Sequence, residues 1–299
     1  MQTRRHSTIA HLVGIPRLVV AINKMDLVDY ARATFESIRD EYLAFARKMG
    51  IGDACFIPLS ALNGDMIVER GERLDWYDGP TLLETLESAG ADRGEVPNEA
   101  EPFRFPVQFV CRPQRADDPL LHDYRGFMGR VESGEIAVGD SVAVLPSGLT
   151  TRVRDIQLGG RSQPMAVADQ SVTLLLADEI DVSRGDMIVK VDARPEPKTA
   201  IRADLCWLSE SPLDSRRRYL IRHTTRDVKA RLATIDHRLN MATLVREDAI
   251  GLAMNDIAQV TFRLAAPIMA DRYAENRATG AFIVIDEASN NTVGAGMIR

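Results

Sequence analysis

The sequence predicts half of an α/β domain followed by two β-barrels. Three observations carry this. Residues 1 to about 90 alternate helix and strand patterns, as an α/β layer requires. The stretch at 89–102, "AGADRGEVPNEAEP", is polar, with two prolines and two glycines, and reads as a linker. Beyond it helix patterns nearly vanish, and short strands are broken by Gly-, Pro- and Asp-bearing turns. A second break at 192–199, "DARPEPKT", separates two sets of strands. The expected domains are therefore residues 1–92, 103–192 and 197–299.

In the α/β part, "QTRRHSTIAHLVG" reads as a helix with Ile9, Leu12 and Val13 on one side and Gly14 as its stop. "PRLVVAI" is a continuous apolar, β-branched run, the pattern of a strand buried on both faces of a parallel sheet. In "FESIRDEYLAFARKMG", Phe35, Ile38, Tyr42, Phe45 and Met49 recur at spacings of three and four, which predicts an amphipathic helix closed by Gly50. "ACFIPLS" is a second short buried strand. "GPTLLETLES" is a last helix, with Pro80 near its start and Leu82, Leu83 and Leu86 expected to face inward.

The first barrel is expected to use "FRFPVQFV", "RGFMGRVESG", "DSVAVLPSG", "TTRVRDIQL", "SVTLLLA" and "DMIVKV". "VGDSVAVL" and "SRGDMIVK" both place Gly-Asp just before an apolar strand. The second barrel is expected from "IRADLCWL", "RRYLIRH", "DVKARLATI", "IAQVTFRLA" and "GAFIVIDEAS".

Bulk composition bounds the function. The chain has 299 residues, 45% hydrophobic and 27% charged, with a net charge of −6. An acidic balance argues against a large nucleic-acid footprint. Cys55, Cys111 and Cys206 are far apart and show no metal spacing, as expected of free thiols in a reducing cytoplasm. No apolar run is long enough to span a bilayer, so no membrane role is expected.

"AINKMDLVDY", residues 21–30, carries the chemistry. Asn23-Lys24-Met25-Asp26 has the N-K-x-D form and follows a strand, at the end where open α/β sheets bind ligands. An ionised Asp26 carboxylate accepts hydrogen bonds only. It suits the ring N–H and the exocyclic amine of guanine, and facing adenine it would be left unpaired. Asn23 can address the other edge of the base and hold the loop, while the Lys24 stem lies over the purine. "PLSALNGD" at 58–65 follows the next strand. Its Ser60, Ala61 and Leu62 offer a backbone N–H for the guanine oxygen, with Ser60 and Ala61 small enough for close approach.

A phosphate cradle of the form G-x-x-x-x-G-K-[ST] does not occur. Of the five lysines, 24, 48, 190, 198 and 229, only Lys198 precedes a Ser or Thr, with no glycine pattern leading to it. No D-x-x-G precedes Asn23, and "DYRG" at 123–126 lies in the barrel region. Phosphoryl transfer depends on these parts, so the 299 residues carry only the base end of a nucleotide site and no catalytic or metal-binding residue is assigned. The arginine-rich 215–231 is expected to be a barrel strand with a solvated basic face. His6, His11, His122, His223 and His237 form no metal spacing, and Trp76, Tyr77 and Trp207 are expected to pack.

"QTRRHS", "INKMDLVDY", "PLSALNGDMIVER" and "WYDGPTLLETLE" resemble translation-factor-type GTPases. "FRFPVQFVCRP", "RGFMGRVESGEIAVGD", "VLPSG", "YAENRATGAFIVID" and "TVGAGMI" resemble the barrel segments of one group among them, the large GTP-binding subunits of bacterial sulfate adenylyltransferase. The resemblance implies the C-terminal half of a P-loop GTPase domain followed by two β-barrels. It implies guanine contacts by Asn23, Lys24 and Asp26, supported by Ser60, Ala61 and Leu62. It also implies GTP as cofactor and a separate small catalytic subunit as partner. In the family, GTP hydrolysis drives formation of adenosine 5′-phosphosulfate and pyrophosphate from ATP and sulfate, on that smaller subunit. Phosphate loop, switches and Mg²⁺ ligands belong to a part of the family pattern missing here, so a fragment, inactive alone, is expected. The alternatives are an elongation-factor-like relative that binds tRNA, and a non-catalytic barrel scaffold that docks the small subunit.

Overall fold

The computed structural model describes residues 2–15, 17–52, 54–91, 101–113, 123–241 and 243–299. Residues 92–100 of the expected linker, His122, and Pro16 of the first strand pattern lie outside the described residues. The chain divides into two compact units. One is Met1–Val96 with Asn240–Val245, and the other is Pro97–Leu239 with Arg246–Arg299. No helix among the described residues is long and apolar enough to cross a membrane.

The first unit is built from helix α1 (Gln2–Leu12), strand β1 (Leu18–Ile22), a 3-10 turn (Met25–Val28), α2 (Arg32–Met49), β2 (Ala54–Pro58) and α3 (Leu82–Ala91). β1 and β2 run parallel, in register from Leu18↔Ala54 to Ile22↔Pro58. Gly50 stops α2 as its sequence predicts. It adopts φ 70°, and its N–H donates to the carbonyls of Ala46 and Arg47. α3 opens on a capping box: the Thr81 N–H donates to Glu84 Oε2 (2.8 Å) and the Glu84 N–H to Thr81 Oγ1 (3.2 Å). Its next two N–H groups find the carbonyls of Met66 and Ile67. Ile22, Met25, Tyr30, Phe35, Ile57, Leu59, Met66 and Leu74 form the core beneath the strand ends. Trp76 packs on Phe35 at 5.4 Å between ring centroids.

Burial departs from the sequence pattern at three places. β1 is not covered on both faces: Val19 is 40% exposed and Ala21 also faces out. Among the described residues β1 pairs only with β2, and a two-stranded layer leaves one face open. Leu83 and Leu86 point to solvent, and Leu82 is the leucine of α3 that packs against the core, next to the buried Thr81 that caps the helix. Ile38 is likewise exposed on α2, whose buried stripe is narrowed to Phe35, Tyr42, Phe45 and Ala46.

The second unit holds both barrels. In the first, β3 (Arg104–Cys111), β4 (Gly126–Arg130), β6 (Ser141–Leu145), β7 (Leu149–Leu158), β10 (Ser171–Leu176) and β11 (Met187–Lys190) form the ring β10-β4-β3-β11-β6-β7, closed by a β7–β10 pairing. β8 (Arg161–Gln163) extends β7, and β5 (Glu135–Ala137) pairs with β9 (Met165–Val167); no strand pattern announced these three. The two Gly-Asp turns are built alike. Gly139 and Gly185 take φ 95° and 92°. The following Asp140 and Asp186 accept the N–H three residues back, from Ala137 and Ser183. The strands they launch, β6 and β11, are neighbours in the barrel.

The second barrel is the ring β13-β17-β18-β12-β16-β14, closed by β13–β14, from β12 (Pro197–Trp207), β13 (Tyr219–His223), β14 (Arg226–Leu239), β16 (Ile257–Met269), β17 (Ala281–Asp286) and β18 (Thr292–Ile298); β15 (Arg246–Glu247) extends β14. The barrels are joined through a buried polar knot. Arg104, 4% exposed, donates to both carboxylate oxygens of Asp271 at 2.9 Å and to the Ala193 carbonyl at 2.7 Å. The Thr279 hydroxyl also donates to Asp271, at 2.6 Å. Burial works to raise the Asp271 pKa, but these bonds and the Arg104 charge outweigh it and hold the carboxyl below its usual value.

Candidate functional site

The parallel register of β1 and β2 brings two loops together at the carboxyl ends of the strands. The Leu59 N–H continues the ladder to the Ile22 carbonyl (3.0 Å), and the Met25 N–H then reaches the Leu59 carbonyl (3.2 Å). Asn23–Asp26 and Ser60–Leu62, called from sequence, are therefore side by side. Lys24 adopts the left-handed conformation, φ 66° and ψ 34°, which turns the chain sharply into the 3-10 helix. Met25 is buried and anchors the turn, while Asn23 and Lys24 stay exposed.

Two side chains tie the loops. Asn23 Oδ1 accepts the N–H of Lys24 at 2.7 Å and the N–H of Ala61 at 3.0 Å. The fully buried Ser60 hydroxyl donates to Asp26 Oδ1 at 2.6 Å. It orients the carboxylate and adds no competing negative charge. One oxygen of Asp26 is thereby fixed, and no bond within the described residues engages Oδ2. Ser60, Ala61, Asn63 and Gly64 all spend their backbone N–H groups inside the structure. The Leu62 N–H has no acceptor among the described residues, and the Leu62 side chain is 84% exposed. An acceptor-only carboxylate beside a spare backbone donor matches the edge of guanine, which presents donors and a carbonyl oxygen.

The sequence did not single out the residues behind these loops. Tyr30, Asn63 and Asp65 form a bonded chain below Ser60–Leu62. Tyr30 lies thirty-three residues from Asn63 and thirty-five from Asp65 in the chain, so no local spacing marks them. Of the aromatics expected to pack, Trp76 and Tyr77 line this core, and Trp207 is buried in the second barrel. The Tyr77 hydroxyl donates to the Phe56 carbonyl, and burial pushes its pKa up to about 12.

The arginine-rich 215–231 spans β13 and the start of β14, and acids meet much of its charge. Arg222 pairs with Asp227 (2.7 Å), Lys229 with Glu287 (2.8 Å), Arg216 with Asp214 (3.1 Å) and Arg217 with Asp286 (3.4 Å). Among the described residues no group of His, Cys, Asp and Glu is arranged to hold a metal ion.

Comparison with known proteins agrees with this architecture. Residues 1–91 match the elongation factor Tu GTP binding domain, and residues 200–299 match the GTP-eEF1A C-terminal domain-like family. Sulfate adenylyltransferase subunit 1 of Laribacter hongkongensis is 46% identical over 100% of this chain and 60% of its own length. The protein of the same name from Alteromonas mediterranea is 45% identical, over 100% of this chain and 61% of its own. The bifunctional enzyme NodQ of Rhizobium tropici is 45% identical, over 99% of this chain and 45% of its own. The chain thus spans about three fifths of the length of the subunit 1 relatives. Among solved structures, Sup35 complexed with GDP superimposes with a TM-score of 0.60 at 23% identity, over 99% of this chain and 72% of that one, a likeness of fold. The same protein complexed with GMPPNP gives 0.59 at 22% identity, with the same coverage. With the two-loop geometry, the paired barrels and similarity along the whole of this chain in hand, its likeness is to translation-factor-type GTPases, and among them to the sulfate adenylyltransferase subunit 1 group.

Proposed function

We propose that this chain provides the guanine-reading end of the GTP-binding subunit of a sulfate adenylyltransferase. In that enzyme a small partner subunit carries out adenylyl transfer in the cytoplasm. The observation that carries this reading is the junction of the two loops: Asp26 oriented by Ser60 at 2.6 Å, and Asn23 bridging Lys24 and Ala61. Asp26 takes the ring N–H and amine of guanine, a backbone N–H of the Ser60–Leu62 loop meets its oxygen, and Lys24 covers the ring. The small-subunit partner and the sulfate-activating role rest on similarity to relatives named sulfate adenylyltransferase subunit 1.

The sequence has no phosphate-loop pattern, and no metal-holding group is found among the described residues, so no phosphoryl-transfer step is assigned to this chain. The purified chain, given GTP and Mg²⁺, is expected to release no phosphate above a buffer blank. Turnover at roughly 1 per second or faster, an ordinary enzyme rate, would defeat that expectation.

Base reading is tested in a protein extended to the relatives' full length. Asp26→Asn replaces a carboxylate acceptor with an amide that can donate to the extra carbonyl of xanthine but opposes the guanine amine. GTP affinity is expected to fall by about 1–3 kcal/mol and XTP affinity to rise. Lys24→Ala is expected to weaken both without switching them. An unchanged GTP/XTP preference in Asp26→Asn sinks the proposal.

A further inference from the structure

The bonds of Asn23 and Asp26 hold only the near end of the Ser60–Gly64 loop. Its far end is held from below. Tyr30, buried with only 5% of its surface exposed, donates its hydroxyl to Asp65 Oδ2 and accepts from Asn63 Nδ2 at 2.9 Å. Asp65 passes the restraint on, since its carbonyl accepts the Ser60 N–H at 3.2 Å. Asp65 itself sits tightly: a Cβ on Gly71, whose φ is +73°, would stand 2.3 Å from Asp65 Oδ1.

Tyr30 is held in turn. Its φ is 54°, and that of Asp29 is 48°, both in the left-handed region that bulky residues rarely enter. The Tyr30 N–H donates to the Met25 carbonyl at 2.9 Å, so the residue belongs to the same turn as Asp26. Its own carbonyl accepts the Trp76 indole N–H at 2.9 Å, and the Arg73 guanidinium lies 5.6 Å above its ring. One residue therefore ends the Asn23–Asp26 turn through its backbone and grips the Ser60–Leu62 loop through its hydroxyl. Backbone strain kept in place by surrounding bonds is a mark of sites where geometry matters.

We infer that Tyr30 is a positioning residue for base recognition. Through Asn63 and Asp65 it sets the position of the Ser60–Leu62 loop, with the spare Leu62 N–H, relative to the carboxylate of Asp26. This inference rests on the guanine reading proposed above. It separates two properties. Asp26 decides which base is bound; Tyr30 decides how tightly, because a misplaced loop weakens any base without favouring another.

The test uses the chain of 299 residues and guanosine itself, followed by the two tryptophan indole N–H signals in ¹⁵N-labelled protein. Trp207→Phe identifies the Trp76 signal, whose acceptor is the Tyr30 carbonyl. Guanosine is expected to shift it. Tyr30→Phe keeps the ring and removes the hydroxyl, and guanosine binding is expected to weaken about tenfold, the loss of one good hydrogen bond's worth of order. Its preference for guanosine over xanthosine is expected to stay as in the unaltered chain. Asn63→Ala is expected to weaken binding similarly and to add little to Tyr30→Phe, since both act through one bonded chain. If Tyr30→Phe disturbs the fold, Asn63→Ala and Asp65→Asn carry the same comparison.

Guanosine affinity unchanged in these variants, while Asp26→Asn has moved the preference to xanthosine, overturns the positioning role and leaves base reading intact. A change of preference in Tyr30→Phe also overturns it. No response to guanosine in the unaltered chain, with none to xanthosine in Asp26→Asn, overturns base reading and this inference together.

Discussion

The α/β unit and the barrel unit solve the same problem of burying apolar side chains with unequal completeness. Each barrel closes its sheet on itself, by β7–β10 in one and β13–β14 in the other. Closure removes edges and gives every inward residue neighbours on both sides. Val142, Val144, Ile156, Leu174 and Ile188 in the first barrel, and Leu205, Val260 and Phe262 in the second, are fully buried. The α/β unit has a two-stranded sheet instead, and Val19, Leu86 and Ile38 face solvent. Yet the unit with less burial carries the Asn23–Asp26 and Ser60–Leu62 loops and, in and around them, four left-handed non-glycine residues, Lys24, Asp29, Tyr30 and Met66. The Arg104–Asp271 pair joins the barrels to one another; in the α/β unit the bonds of Tyr30 and Ser60 brace the two loops.

The comparison is broken most severely at Arg104. Arg104→Ala strands the Asp271 carboxylate in the interior, and loss of one partner of a buried pair costs about 3–5 kcal/mol. One tryptophan reports on each unit, Trp76 on the first and Trp207 on the second. In urea, single-tryptophan versions should show the Trp207 transition moved strongly and the Trp76 transition unmoved. Equal movement of both would mean the units unfold as one.

Without substitution, the Trp76 transition is expected at lower urea than that of Trp207. Limited proteolysis is expected to leave a resistant fragment starting near residue 100, set by the paired edges of the closed sheets. Coincident transitions, or a uniformly protected chain, would erase the distinction between the units.

A smaller effect confined to the α/β unit is expected of Thr81→Ala, which removes one half of the α3 capping box. About 1 kcal/mol should be lost, read by Trp76 alone. A shift in the Trp207 signal would contradict this.

The smallest effect is one of pH. His223 is buried and its Nε2 lies 2.6 Å from the Thr279 carbonyl, consistent with donation to it. Burial lowers its pKa, with the Thr279 carbonyl and Asp271 working the other way. The unfolded imidazole, near 6.5, takes up a proton more readily than the folded one. Barrel stability is therefore full above about 6.5 and falls as pH drops below it. Asp271, held low by Arg104 and Thr279, adds a further loss only at more acid pH, below the unfolded carboxyl value of about 3.9. His223→Gln should lower stability at neutral pH and flatten the slope between about pH 7.5 and 5. The same slope in the variant would show that His223 is not its source.

Local signals settled much of this protein. The periodicity of 32–49 and the glycine at 50 define α2 and its end. Gly-Asp pairs launch β6 and β11, and N-K-x-D with S-A-L names the two loops that β1 and β2 bring together. These features need only neighbours along the chain, or strands whose apolar pattern fixes their pairing. Other features depended on where distant segments arrive. That Leu82 packs on the core while Leu83 and Leu86 face solvent follows from the Met66 and Ile67 carbonyls meeting the first turn of α3, not from helical spacing. Arg104 finds Asp271 across 167 residues, and Tyr30 finds Asp65 across thirty-five. A charge or a hydroxyl carries no mark of its partner in sequence, because the bond depends on burial and direction that exist only once the barrels have closed and the loops have met.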